Sequence, residues 1–358
     1  MESSYTAFIL SVDVFTNFSI IAALVVFFWR GTWDMLDLFL LPTNYELSLW
    51  ISCLGGNVLL LMMTMLQDTL NMLLTPENLS SFGLCVVTRV HAYLVATLYV
   101  CQWRGLWGLL ECYGINYWIA YLVSFLALSI FGRMGQATGP PLVVMHDSDK
   151  RDYFTVIPIK RNDDSDNRSG WIAVFAETGF NLVFCNTCSA YWHGHWSVAD
   201  VYLYPEDSVL SAYFSLAMSI FLAIPILTGE RSVRIFCRDK HRFYIVRKLV
   251  EKAYHVVASL VSIHYWRGVW LLQTTSLLPD NPKLSTIISH VVGFSGLMML
   301  CVSRTAVGAD VFDDEDVYGR KPALFTYAFI ARMCKTNDKN SNDIRAHGLF
   351  EPVTTTGH

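Results

Sequence analysis

Charge is what this chain has least of. Only 16% of its 358 residues are Asp, Glu, Lys or Arg, against about 25% in an ordinary globular domain, and that deficit argues against a soluble enzyme. The formal charge of -4 excludes a broad nucleic-acid footprint, which needs a basic face. Catalytic signatures are also missing. There is no G-x-x-x-x-G-K-[ST] phosphate loop, no H-E-x-x-H helix, no G-x-S-x-G elbow and no run like a selectivity filter. Enzyme readings have little to stand on, and no catalytic residue, cofactor or metal site is expected. A basic flank ahead of the first apolar stretch is absent too, and that stretch holds Asp13 and Asn17 where a cleaved signal would be apolar. The segment is expected to stay in the mature protein.

What is plentiful is apolar surface: 53% of residues are hydrophobic and 14% aromatic. Apolar runs recur at about residues 7–28, 47–66, 84–102, 117–131, 171–191, 209–228, 249–265 and 285–303, each near the roughly 20 residues a bilayer span needs. The expected fold is all-α, a polytopic membrane protein of eight transmembrane helices. An even number of spans puts both termini on one side. That side holds 22 of the 26 cations, and the other keeps only Arg30, Arg104, Arg267 and Lys283. The positive-inside rule then places both termini in the cytosol.

One short motif appears four times: Trp29-Arg30-Gly31-Thr32-Trp33, Trp103-Arg104-Gly105-Leu106-Trp107, Trp192-His193-Gly194-His195-Trp196 and Trp266-Arg267-Gly268-Val269-Trp270. The first Trp residues are spaced by 74, 89 and 74, so the two pairs are related by an offset of 163. That register marks an internal duplication. Asp37 with Asp200, Pro42 with Pro205, and Arg89 with Lys252 obey it as well. Four spans per half make the halves parallel repeats rather than an inverted pair. The expected organisation is a first four-span repeat (1–144), a cytosolic linker loop (145–170), a second repeat (171–305) and a largely disordered cytosolic tail (306–358). Each motif follows an odd-numbered span and precedes an even one, which puts all four on the non-cytosolic face and makes the unit a helical hairpin.

Two readings of the motif stand open. Indoles prefer the headgroup interface and a neighbouring cation can snorkel, which gives an aromatic belt. Alternatively the four copies converge on a pseudo-symmetry axis as an outward-facing ring for a lipid headgroup, an anionic ligand or a partner, with His193 and His195 making one copy pH-sensitive. The His193-Gly194-His195 run is a weak zinc signal without two further ligands nearby.

A second candidate lies at membrane depth. Asp13 with Asn17, and Glu177 with Asn181, each place an acid and an amide four residues apart on one helical face. They read either as a cation or proton pathway between the halves or as interhelical hydrogen-bonding glue. A third is the cluster Arg231, Arg234, Arg238, Lys240, Arg242, Arg247 and Lys248, a topological anchor or a patch for anionic lipid. Cys101 and Cys112 flank the second motif, so an outer-face disulfide is open, whereas Cys185 and Cys188 read as buried thiols. Asn78-Leu79-Ser80 and Asn167-Arg168-Ser169 match the glycosylation pattern but fall on the cytosolic side.

With WRGTWDMLDLFLLP, QWRGLWGLLE, WHGHWSVADVYLYPED and YWRGVWLLQ as its four repeated stretches, the chain resembles the Fuseless family of animal multipass membrane proteins over about residues 10–305. The resemblance implies a presynaptic plasma-membrane protein needed for neurotransmission and for organising voltage-gated calcium channels, with membrane lipids around it. A transporter or lipid-binding protein with a site between the halves is the alternative.

Overall fold

The computed structural model describes residues 11–147, 153–157, 167–238 and 244–307. Eight helices run through them: α1 (Ser11–Phe39), α2 (Tyr45–Leu73), α3 (Ser81–Cys112), α4 (Tyr117–Ile130), α5 (Asn167–Tyr202), α6 (Ser208–Arg238), α7 (Tyr244–Ser276) and α8 (Pro282–Met299). No strand occurs among the described residues. The chain is all-α, and four helices, Ser11–Phe39, Tyr45–Leu73, Ser81–Cys112 and Ser208–Glu230, are long and apolar enough to cross a membrane.

Local chemistry sets the helix starts. Asn44, Asn116, Asp207 and Asn281 cap the even-numbered helices, each side-chain oxygen accepting a backbone N–H two or three residues on. Ahead of three caps stand Leu41-Pro42, Tyr204-Pro205 and Leu278-Pro279, with the first residue of each pair at a φ near +50°. In the fourth turn Gly114 takes the left-handed position, and Asn116 is itself the cap. Asn116 thus corresponds to the caps Asn44, Asp207 and Asn281, and that turn is two residues shorter.

The helices form two concentric layers. α1, α3, α5 and α7 surround a central axis, each touching its two neighbours in the ring, and the even-numbered helices lie outside. The most extensive pairings are α2 with α3, α4 with α5, α6 with α7, and α8 with α1. This corrects the expected hairpin unit: a motif helix packs on the even helix before it, and α1 closes the circle by pairing with α8. The halves interlock accordingly. On the outer layer Leu54, Val58 and Met62 of α2, Ile119 and Val123 of α4, and Ile220 and Phe221 of α6 are exposed. An apolar shell of this extent belongs to a membrane protein.

α4 and α8 are short, and the chain after each turns inward as a 3₁₀ segment, Met134–Ala137 and Ser303–Val307. Residues 145–147 and 153–157, expected in a solvated loop, are instead mostly buried with them. Asp147 holds this plug together. Its carboxylate accepts from the Ser303 N–H and hydroxyl (both 2.8 Å) and the Arg304 N–H (3.1 Å), and it pairs with Arg89 at 3.4 Å. Tyr153 Oη lies 3.2 Å from the same carboxylate. Burial, then the Asp147 charge, raises the Tyr153 phenol above its ordinary pKa, which keeps it a donor. Gln67 extends the plug to α2, accepting from Val156 N–H and donating to Ile157 C=O, both at 2.9 Å. Replacing Asp147 by Asn leaves Arg89 without its counter-charge and should cost about 3 kcal/mol. Thermal unfolding in detergent measures this, and an unaltered midpoint would contradict the role given to Asp147.

Candidate functional site: the indole rings and their arginines

All four motif copies are helical. The apolar runs end at the motif, but each helix continues eight or more residues beyond the first Trp, to Phe39, Cys112, Tyr202 and Ser276. The motifs therefore lie within the helices and not between them, where the ends of the apolar runs had set them. Hydropathy falls there because the helix carries polar groups that are satisfied inside the bundle, not because the helix stops.

Successive residues on a helix are turned by about 100°, and this turn gives the motif its design. The two Trp residues, four apart, share the axial face; Arg points to one side; Gly faces the outer helix. Trp29, Trp103, Trp192 and Trp266 close a four-membered ring, with neighbouring centroids 5.1–5.4 Å apart and planes at 76–85°. Trp33, Trp107, Trp196 and Trp270 make a second ring one turn along, at 5.7–5.9 Å and 85–89°. Edge-to-face contact sets the positive edge of one indole against the negative face of the next, worth about 0.5–1.5 kcal/mol per pair beyond burial. In the inner ring Trp29 donates to Ala306 C=O (2.7 Å), Trp192 to Ala137 C=O (3.0 Å) and Trp266 to Pro140 C=O (2.9 Å). The plug supplies all three acceptors.

The glycines admit the outer helices. A Cβ on Gly31 would stand 2.3 Å from His290 N, on Gly105 2.3 Å from Cys53 N, on Gly194 2.6 Å from Tyr121 N, and on Gly268 2.9 Å from Ala212 O. That closeness lets the arginines reach across. Arg104 bonds Ser52 (2.8 Å) and Ser48 (3.0 Å) on α2, and Asp37 of α1 (2.8 Å). Arg267 repeats the set with Ser215 (2.6 Å), Ser211 (2.8 Å) and Asp200 (2.8 Å). All six partners obey the offset of 163. Arg30 reaches Ser285 (3.1 Å) and Ser289 (3.2 Å) and pairs with Asp34 of its own helix at 3.3 Å.

The third copy departs coherently. His193 replaces Arg, Ala120 stands where the first serine would be, and Glu111 lies 3.7 Å from His193 Nε2. Acids eight residues after the first Trp thus face the cation of the next copy: Asp37 with Arg104, Glu111 with His193, Asp200 with Arg267. Thr274 occupies that place in the fourth copy, so Arg30 depends on Asp34.

The four copies converge on one axis: Trp29, Trp192, Trp266, Arg30, Arg104, Arg267 and His193 are buried, and Trp33, Trp103, Trp107, Trp196 and Trp270 are half-buried. The arginines face serines and carboxylates of the bundle rather than an outer surface. His195 Nε2 lies 3.2 Å from His264 Nε2, so the two histidines of the third copy have different partners. Asp13, Asn17 and Asn181 are buried and Glu177 is half-buried, but α1 and α5 stand diagonally across the ring, as the order of indole contacts requires. Arg247, expected in a lipid-facing patch, is buried and stacks over the Tyr244 ring at 5.3 Å, while Lys248 pairs with Glu251 at 2.9 Å. Arg231, Arg234 and Arg238 fall on α6; Lys240 and Arg242 lie outside the described residues, as does the tail beyond 307. Cys101 and Cys112 are free thiols, and Cys185 and Cys188 are buried. Asn78 is exposed and donates to Leu73 C=O, and Asn167 opens α5.

Sequence reasoning missed the paired serines. Their signal was there, since Ser48 with Ser211 and Ser52 with Ser215 keep the repeat offset. It also missed the amide cluster joining α2, α3 and α5, in which Asn57 Oδ1 accepts from Gln102 (3.0 Å) and Asn186 (2.8 Å).

A family profile described as Fuseless matches residues 9–307, which takes in every helix and all four motif copies. The chain belongs to the Fuseless family. No curated protein and no solved structure gave a match. In this Fuseless protein the matched span ends at Val307, the last described residue of the plug.

Two measurements test the site. Gly105→Ala forces a Cβ against the α2 backbone and should lower stability by about 1–3 kcal/mol, whereas Gly55→Ala, where a Cβ meets nothing within 4 Å, should be tolerated; equal effects would remove the close-approach account. The double change His193→Arg with Ala120→Ser should be more stable than the sum of the single changes predicts, by about 1–2 kcal/mol of coupling, and additivity would refute the repeat-wide correspondence.

Proposed function

We propose that this Fuseless protein is a non-enzymatic, eight-pass protein of the presynaptic plasma membrane, in two parallel four-span repeats with both termini cytosolic. In this reading it organises or regulates membrane partners, voltage-gated calcium channels among them, and so supports synaptic transmission. Family membership supports the synaptic part. The observation that carries the organising role is the saturated axis: indoles fill it in two layers, and the motif arginines are engaged by serines and carboxylates of the same chain. The polar groups of the interior hold the bundle in one shape, and recognition is left to the periphery and the cytosolic segments.

Eight spans fit the eight helices once the bundle interior is counted. α5, α7 and α8 carry polar residues on faces that meet other helices, as Arg267 and Ser289 do, which lowers their hydropathy without exposing charge to lipid. The cations on the outward side under this orientation include three buried arginines, so the positive-inside asymmetry at the surface is steeper than the raw count.

The test is rescue in neurons lacking the protein. The double variant Asp13→Asn, Glu177→Gln should restore presynaptic calcium-channel clustering and evoked release as wild type does, while removal of residues 308–358 should impair clustering. Loss of function in the carboxylate variant, with expression and folding retained, would favour the transporter reading instead.

A further inference from the structure

Two exposed thiols stand at one end of the bundle. Cys85 lies in the second turn of α3 and Cys301 two residues past the end of α8; both are free and exposed. Cys85 stands one turn before Arg89 on α3, and Cys301 C=O accepts from the N–H of Asp147 (2.9 Å), whose carboxylate pairs with Arg89 at 3.4 Å. Among the described residues Cys53, Cys185 and Cys188 are buried, Cys101 and Cys237 are half-buried, and Cys112 is exposed at the opposite end of α3. Around the two thiols the surface is apolar and outward-facing: Phe82, Val86 and Val90 are exposed on α3, and Met299 is exposed at the end of α8. Exposed cysteines beside apolar surface at a membrane boundary are the sites where acyl chains are attached.

We propose that Cys85 and Cys301 are S-acylation sites that accept a long-chain fatty acyl group from acyl-coenzyme A. The thiolate sulfur attacks the acyl carbonyl carbon, a new carbon–sulfur bond forms, and the bond to the coenzyme A sulfur breaks. Coenzyme A leaves as a thiolate and takes up the proton that the cysteine released, so no oxidant or reductant is needed. The attached chains lie along Phe82, Val86 and Met299 on the lipid side. This places a removable lipid anchor beside the plug that Asp147 closes. The inference rests on the orientation proposed above, which puts the Arg89 end in the cytosol where acyl-coenzyme A is found.

The experiment uses the full chain in cell membranes. Free thiols are blocked, thioesters are cleaved with hydroxylamine, and the thiols released are tagged with a polymer maleimide. The expected result is two tag-sized mobility steps that require hydroxylamine, one lost in Cys85→Ser, one in Cys301→Ser and both in the double variant. Absence of the steps, or their persistence in the double variant, overturns the proposal. Labelling Cys112 on intact cells with a membrane-impermeant maleimide checks orientation separately. If Cys112 is labelled from outside and no thioester is found, the orientation stands and acylation falls; if Cys112 itself carries the thioester, the orientation and the proposal fall together.

Discussion

Three guanidinium groups inside an apolar bundle are the constraint on which the rest of this structure depends. An arginine removed from water is tolerated only when its charge is paired and its N–H groups have acceptors, and here each finds both within two helices. Serines four residues apart on the outer helix take the terminal nitrogens, and a carboxylate from a motif helix takes the charge. The reach is possible because glycine, the next residue, removes the one Cβ that would hold the helices apart. Trp, Arg and Gly are therefore not three separate features at an interface. They are one device, in which the same helical turn builds the axis, bonds the outer helix and lets that helix approach.

The device is directional around the ring. Each acid serves the cation of the following copy, so the contacts run from α1 to α3, α3 to α5 and α5 to α7, and stop at Thr274. The indole rings close nonetheless, and the two ends of the helical series meet inside a packing unit, since α8 and α1 are partners although they are the last and first helices. The pairing of α1 with α8 is consequently a contact of high sequence separation, whose formation waits on all the helices between them. The contact at His290 is polar as well as close: Thr32 and Tyr93 lie 2.9 and 3.1 Å from the two ring nitrogens, which fixes the register of that late contact.

Helix number and approximate position were legible because each apolar run is bounded by Asn, Asp, Pro or Gly, and the repeat was legible because Trp is rare enough for four copies to stand out. The helix ends were not. Hydropathy treats an arginine as a terminus, yet Arg104 and Arg267 sit well within their helices because their partners arrive from elsewhere in the chain. Pairing was misread for a related reason: adjacency in sequence favours the hairpin that follows a motif, while the glycine face selects the helix that precedes it. Only a comparison of Ser48 and Ser52 with Ser211 and Ser215 at the repeat offset would have revealed the preference. The plug was illegible in another way, since Asp147 and Tyr153 lie in a stretch whose polar composition reads as solvated and whose burial depends on Arg89 and Ser303, distant in sequence.

Non-helical backbone inside a bundle is tolerated only where its polar groups find partners, and the plug meets that condition by using its free carbonyls as acceptors for indoles. Ala306, Ala137 and Pro140 would each carry an unpaired oxygen, and Trp29, Trp192 and Trp266 an unpaired N–H, if the two parts were separated. The short helices α4 and α8 are thus complementary to the ring rather than truncated spans: they stop early so that the following backbone can turn in beneath the indoles. Rigidity follows, because the axis is closed by aromatic packing and its underside by hydrogen bonds to the same rings. A bundle fixed at its centre varies at its rim, and the third copy, where His193 and Ala120 replace the Arg and Ser of the other sets, is the one quadrant in which the central clamp is relaxed. If one outer helix is to adjust to a partner in the membrane, α4, which packs on α5 through Tyr121 against Tyr191 and His195 and meets no serine-bonded arginine, is the helix this chemistry leaves freest to do so.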